Sequence, residues 1–319
     1  MNENVPDKGQ SYWFDLGDVA VVPLIEIDPL LIDSSEFFPG LALDPEAWCL
    51  GEPWVDEGTG KLVLVIQSFI ICAKDEVTLV DACVGAGKNR KRPQFDHLAP
   101  VWMNQFLATG LRPEQVDSVI FTHLHTDHVG AATQLTGSGW EAVFPHAPHY
   151  VVESDYCYWI SEDGASAMTR TGDYVDDSVR PIEQIGQIAF VEPDASITGH
   201  VQLEPAIGHT PGNICVRVTG SSGELLLAGD TMHHPIQVFS PATSTQYCFN
   251  PEQAAQVRRN ILAESVSTGL VVVPSHFPRP TAGRIVASDA GLSFDFAVDI
   301  IRHGQFVYEE WKEEISNSV

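Results

Sequence analysis

Thr122-His-Leu-His-Thr-Asp-His-Val-Gly130 (THLHTDHVG) follows directly on the apolar run Asp117-Ser-Val-Ile-Phe121 (DSVIF). Three histidines and one aspartate fall within six residues. His123 and His125 lie two apart, so in an extended segment both side chains face the same way. Asp127 and His128 come after the bend and can face a second point. Imidazoles crowded in this way add no stability without a metal, and below neutral pH they repel one another.

The same residue types recur at the ends of other apolar runs. Gly208-His-Thr-Pro-Gly212 precedes Asn213–Thr219 (NICVRVT), Glu224–Ala228 (ELLLA) ends in Gly229-Asp230, and Leu270–Val273 (LVVV) ends in Pro274-Ser-His276. Strand ends of α/β folds form a common rim where chemistry is placed. The candidates are therefore His123, His125, Asp127, His128, His209, Asp230 and His276. One tetrahedral ion needs only three or four ligands, so the set suits two ions sharing a bridging carboxylate. Imidazole nitrogens with a few carboxylate oxygens, and no cysteine, fit two divalent cations, zinc ahead of iron, cobalt or manganese.

Outward from these motifs, Val19–Ile27, Lys61–Ala73, Val77–Cys83, Asp117–Phe121 and Val201–Ala206 read as further strands. Leu98–Ala108 has helical spacing, and Arg112–Val116 is a short helical start. Pro251–Val266 is the clearest helix, with Asn250 able to cap it and Pro251 suited to its first turn. Part of 137–200 should be helical. Strand runs at both ends with helices between and after them suggest two mixed sheets facing each other with helices outside, a pattern that other α/β layouts share. The chain reads as one domain over 1–319, with an N-terminal extension to about residue 18 and a substrate-side insertion over about 137–200.

The chain has 319 residues, 44% of them hydrophobic, enough to bury a large core. Asp plus Glu is 43 against 17 Lys plus Arg, a formal charge of −26. Such a surface repels phosphate backbones and anionic lipid, so no nucleic-acid partner is expected. No apolar run reaches the roughly 18 residues of a membrane span, and the N-terminus as numbered lacks a signal peptide. Cys49, Cys72, Cys83, Cys157, Cys215 and Cys248 are scattered without a CxxC pair, as in a reduced, cytoplasmic protein. A homodimer stays open. His97, His146, His149 and His303 read as solvated or hydrogen-bonded loop residues, and the basic run Lys88-Asn-Arg-Lys-Arg92 as a solvated loop or a contact for an anionic substrate.

THLHTDHVG, GHTPGN, AGD and PSHF, in that order, resemble the metallo-β-lactamase superfamily over about Val19 to Ser288. The resemblance implies an α/β fold, an αββα sandwich with the metals at one edge of its two sheets. It implies that His123, His125 and His209 hold the first metal, that Asp127, His128 and His276 hold the second, and that Asp230 bridges them. Asp81, at the end of VTLVDAC, matches an aspartate that orients a ligand histidine from behind; a strand-end turn residue is the competing reading. An aspartate at position 230 resembles the lactonases, glyoxalase II and methyl parathion hydrolase rather than the β-lactamases. His233 stands where acyl-homoserine lactonases carry a tyrosine, which places the nearest likeness in the methyl parathion hydrolase and lactonase-like branch.

That likeness implies a dinuclear hydrolase whose metal-bridging hydroxide attacks a lactone or carboxylic ester. A phosphotriester hydrolase is the alternative, and a non-catalytic metal-binding protein comes third. Small-molecule esters, lactones or phosphotriesters are the expected partners. Asp127 is a candidate proton shuttle, and His233 a candidate proton donor or oxyanion contact, with a structural role as its competitor. Phe37, Phe38, Tyr156 and Trp159 are candidate walls of an apolar pocket.

Overall fold

The computed structural model describes residues 10–41, 53–289 and 291–317. Cys49 and the first nine residues of the expected N-terminal extension lie outside them. The first half of the chain supplies β1 (Tyr12–Asp15), β2 (Ala20–Ile32), β3 (Leu62–Ala73), β4 (Glu76–Val80) and β5 (Ser118–Ile120). A hairpin of β6 (Thr133–Thr136) and β7 (Gly139–Ala142) follows, then β8 (His149–Val151) and β9 (Ile188–Phe190). The second half supplies β10 (Val201–Pro205), β11 (Ile214–Gly220), β12 (Gly223–Gly229), β13 (Val271–Pro274), β14 (Gly283–Ser288), β15 (Gly291–Phe296) and β16 (Ile301–His303). Among the described residues these form an eight-stranded sheet, β16-β1-β2-β3-β4-β5-β8-β9, and a six-stranded sheet running from β10 to β15 in chain order.

Period-two alternation sorts the side chains into layers. Phe14, Val21, Phe69, Ile71, Val80 and Ile120 of the larger sheet meet Leu203, Val216, Val218, Leu225, Leu227, Val271 and Val273 of the smaller one. Their sequence neighbours Val22, Ile70, Leu79 and Val119 pack on the outer side, with Trp102 and Phe106 of the helix Val101–Ala108 and with Tyr308 and Trp311 of the helix Tyr308–Asn317. Leu226, Ala228 and Val272 face outward from the smaller sheet onto Ile261 and Leu262 of the helix Pro251–Thr268. The result is the expected αββα sandwich. Each fully buried Val, Leu or Ile contributes about 1.5–3 kcal/mol, so these three apolar layers dominate the stability.

Both sheets are mixed, and the parallel pairs position the site. β4 runs parallel to β5, and β12 parallel to β13. Parallel strands deliver their C-terminal ends to one edge, so Asp81, His123, Asp230 and His276 emerge together. Two backbone hydrogen bonds join the sheets at that edge: Ile214 N donates to the Thr122 carbonyl at 3.0 Å, and Val65 N to the His276 carbonyl at 3.0 Å.

Local signals account for some element ends. Asn250 Oδ1 accepts from Gln253 N at 3.1 Å, Pro251 fills the first turn, and Gly269 closes the helix at φ 76°. The helix expected from Leu98 starts at Val101, because Pro100 takes the cap position. The VTLVDAC strand stops at Val80; Asp81 turns out of it at φ 61°. Residues 137–200 contain the helix Glu153–Trp159, and they also carry β8 and β9, which extend the larger sheet. The β14–β15 hairpin, the edge pair β1–β16 and the helix Tyr308–Asn317 were not expected from the sequence. No helix among the described residues is long and apolar enough to cross a membrane.

Candidate metal centre

Asp81 anchors the cluster from behind. Its Oδ1 accepts from Thr122 N at 2.8 Å, and its Oδ2 accepts from Thr122 Oγ1 at 2.8 Å and faces His128 Nδ1 at 2.8 Å. His128 therefore gives its Nδ1 proton to Asp81 and turns Nε2 inward. Three other imidazoles follow the same rule. His123 Nδ1 meets Thr122 Oγ1 at 3.0 Å, His276 Nδ1 meets the Val65 carbonyl at 2.9 Å, and His209 Nδ1 lies 3.6 Å from Cys248 Sγ. Each leaves its Nε2 for the centre.

Asp230 occupies that centre. Its Oδ2 lies 3.2 Å from His209 Nε2 and 3.7 Å from His123 Nε2, while its Oδ1 lies 3.0 Å from His276 Nε2 and 3.3 Å from His128 Nε2. Three overlapping groups could hold a cation: His123, His125, His209 and Asp230; Asp127, His128 and His276; and Asp230, His233 and His276, with the ligand atoms of each group within 4.8 Å of one another. Asp127 Oδ2 stands 3.9 Å from His276 Nε2. The structure thus brings all seven predicted ligands together.

These groups fit a pair of cations. His125 Nδ1 lies 2.9 Å from both His123 Nε2 and His209 Nε2. With the outer nitrogens donating, His125 can satisfy only one of those two lone pairs. His128 Nε2 and Asp230 Oδ1 are buried with no hydrogen-bond partner, a costly state for polar atoms. Asp230 is drawn to positive charge: burial alone would raise its carboxyl, but His276 and His128 hold it well below the carboxylate range. Burial would depress His128, yet Asp230 and Asp81 raise it well above the imidazole range; His209 rises to about 9 by the same balance with Asp230. Burial and neighbouring imidazoles push His123 and His125 well down. Inward-facing imidazole nitrogens around a buried carboxylate make a donor set that divalent cations would fit.

His233 stands beside the cluster, its Nε2 3.1 Å from Asp230 Oδ2 and its ring stacked at 5.3 Å on His276. Burial pushes it down to about 4, with Asp230 offsetting only part, so it is neutral at pH 7. From the cluster opens a cavity of about 390 Å³. Phe37 and Trp159 line it, against the rings of His233 at 5.5 Å and His125 at 4.9 Å. Phe38 and Tyr156 do not. Phe38 faces the core behind Phe37, and Tyr156 packs on Phe190 and bonds Glu183.

Several braces have no signature in the sequence. The Asp155 carboxylate, fully buried, accepts from Leu124 N at 2.7 Å and Gly212 N at 3.1 Å, tying two ligand loops together. Tyr174 donates its hydroxyl to the Leu124 carbonyl at 2.6 Å. The reading of Lys88–Arg92 as a solvated loop is corrected: Lys88 and Arg90 are buried. Arg90 Nε donates to Thr126 Oγ1 at 2.9 Å, and its guanidinium clasps Asp177 at 2.6 and 2.8 Å. Lys88 lies 3.5 Å from Asp177. His149 is also buried, between Phe121 and Phe144 at 5.7 and 6.3 Å, whereas His97, His146 and His303 are exposed.

The family model of the metallo-beta-lactamase superfamily matches residues 63–276. No curated protein matches the chain. Among solved structures, the hydrolase AbOPH of the beta-lactamase superfamily has a TM-score of 0.75 at 21% identity, over 91% of this chain and 98% of that one. AidC, a dizinc quorum-quenching lactonase solved with the product N-hexanoyl-L-homoserine, has a TM-score of 0.73 at 16% identity over the same shares of 91% and 98%. A probable metal-dependent hydrolase from Staphylococcus aureus has a TM-score of 0.68 at 18% identity, again over 91% and 98%. At these identities the likeness is one of fold.

Proposed function

Because the chain belongs to the metallo-beta-lactamase superfamily, we propose that this metal-dependent hydrolase holds two divalent cations, zinc in the first instance, and cleaves a lactone or a carboxylic ester. His123, His125 and His209 would hold one cation, and Asp127, His128 and His276 the other. Asp230 would hold both. The observation that carries this reading is that the two oxygens of Asp230 face different histidine groups. When bound, such a pair supplies the acidity that ionises water near neutral pH and polarises an acyl oxygen.

The protein's own residues do the rest. Neutral His233 donates Nε2–H to Asp230 Oδ2 and so fixes the direction of the carboxylate that would hold both cations. Asp127 lines the cavity, where its carboxylate can carry a proton to the leaving oxygen. Leu30, Ile32, Phe37, Leu64 and Ile66 give the cavity an apolar wall that excludes water and accepts an acyl group. No serine or cysteine nucleophile is required. The fold shared with a lactonase that binds an acyl-homoserine product favours lactones as first substrates.

Zinc-reconstituted, desalted protein tests this by elemental analysis and by turnover of lactones, aryl esters, thioesters and a phosphotriester. Two equivalents of metal, with lactones or esters turned over fastest, is the expected result. Under one equivalent after reconstitution would overturn the metal pair. Fastest turnover of the phosphotriester would move the substrate to that class.

A further inference from the structure

The basic run Lys88–Arg92 divides in the folded protein. Lys88 and Arg90 turn inward onto the carboxylate of Asp177, but Arg92 lies on the wall of the cavity that opens from the histidine cluster. Arg170, from a distant part of the chain, lies on the same wall. In a chain with 43 acidic and 17 basic residues, two arginines on one wall are a local enrichment in positive charge. Among the described residues, the only carboxylates on the wall are Asp127 and Asp230, both in the metal cluster.

The two arginines are linked. The Arg92 guanidinium lies 4.8 Å from the Tyr247 ring centre and 5.6 Å from that of Phe95, and it donates to the Tyr247 hydroxyl. Gln246 Nε2 also donates to that hydroxyl, at 3.0 Å, and Gln246 Oε1 accepts from Arg170 at 3.0 Å. A Tyr–Gln pair thus holds both guanidiniums against the cavity. Among the described residues neither is paired with a carboxylate. The patch reaches the cluster through one ring: Phe37 lies 6.0 Å from Tyr247 and 5.5 Å from His233.

Arginine presents a planar fork that matches a carboxylate and binds it with charge-assisted hydrogen bonds. Arg92 spends part of its fork on Tyr247, and Arg170 part of its own on Gln246. The edges that remain suit one planar, singly charged group. We propose that Arg92 and Arg170 form a subsite for a free carboxylate remote from the scissile bond, so that the substrate is an ester or lactone carrying a second, unreacted carboxylate. This inference rests on the hydrolase reading above for the position of the scissile bond.

The test compares aryl monoesters of four- to eight-carbon dicarboxylic acids with their neutral methyl-capped counterparts, using zinc-loaded wild type, Arg92→Gln, Arg170→Gln and the double variant. The readout is the ratio of kcat/KM for the acid ester to that for the neutral ester. At the best chain length the ratio should fall about 10- to 100-fold in the double variant, the range for lost charge-assisted hydrogen bonds. In wild type, but not in the double variant, added salt should lower it. An unchanged ratio would overturn the subsite while leaving the hydrolase reading in place. If wild type turned over none of the esters, the hydrolase reading would fail, and calorimetry with the monoamides of the same acids would decide the subsite. Affinity weakened about tenfold or more in the double variant supports it; equal affinity overturns it.

Discussion

At the scale of single residues, Asp81 shows how little of a ligand's behaviour is its own. It adopts φ 61°, a conformation that aspartate tolerates better than most residues, and from it reaches Thr122 and His128 together. Asp81→Asn keeps the shape and removes the charge that fixes the His128 tautomer. Metal affinity should fall about 10- to 100-fold, measured by competition with a chromophoric chelator. His149 gives a second test. Burial pushes it down to about 4 from its ordinary 6.5, so the folded state keeps it neutral while the unfolded chain takes up a proton. Its contribution is therefore complete above pH 6.5 and is lost as pH falls from 6.5 toward 4. The loss approaches about 3 kcal/mol. His149→Leu should flatten the stability curve across that window; urea titrations at a series of pH values would read it, and parallel curves for the two proteins would refute it.

At the scale of elements, the candidate ligands are held by short segments that depend on distant braces. Thr126–Val129 is a single helical turn carrying Asp127 and His128, and Arg90, clasped by Asp177, fastens its first residue. Asp177→Asn would strand a buried arginine and lysine. The expected cost is about 3 kcal/mol or more, read by chemical unfolding, with weaker metal retention because the turn loosens. Nothing near Lys88–Arg92 in the sequence announces this role, since Asp177 lies more than eighty residues away. The strands and the helix from Pro251 were legible for the opposite reason. Apolar runs, Asn250 and Pro251 act on their own neighbours in the chain. The β14–β15 hairpin was missed because its strands alternate only partly and its one clear marker, Gly291, stands alone.

At the scale of the whole molecule, the proposed cations would tie the two sheets together, because Asp81 and His123 follow strands of the larger sheet while Asp230 and His276 follow strands of the smaller. A ligand that binds only the folded state adds about 1.4 kcal/mol for each tenfold excess over its dissociation constant. Chelation should therefore lower Tm by several degrees, reversibly, and the shift should grow with free zinc concentration. Asp230→Asn should abolish most of that dependence. A Tm indifferent to chelator and zinc would contradict a metal bridge between the sheets.

The sequence by itself pointed to the α/β class and picked out the seven candidate ligands, because apolar strand runs and closely spaced histidines are local properties that survive any detail of packing. Tertiary structure decided the remainder. It divided Asp230's oxygens between two histidine groups, buried Lys88, Arg90 and His149, turned Tyr156 away from the cavity and brought Arg92 and Arg170 onto one wall. Each of these depends on which distant residues become neighbours, and that is set by how the two sheets close on each other, not by the identity of the residue or its spacing along the chain.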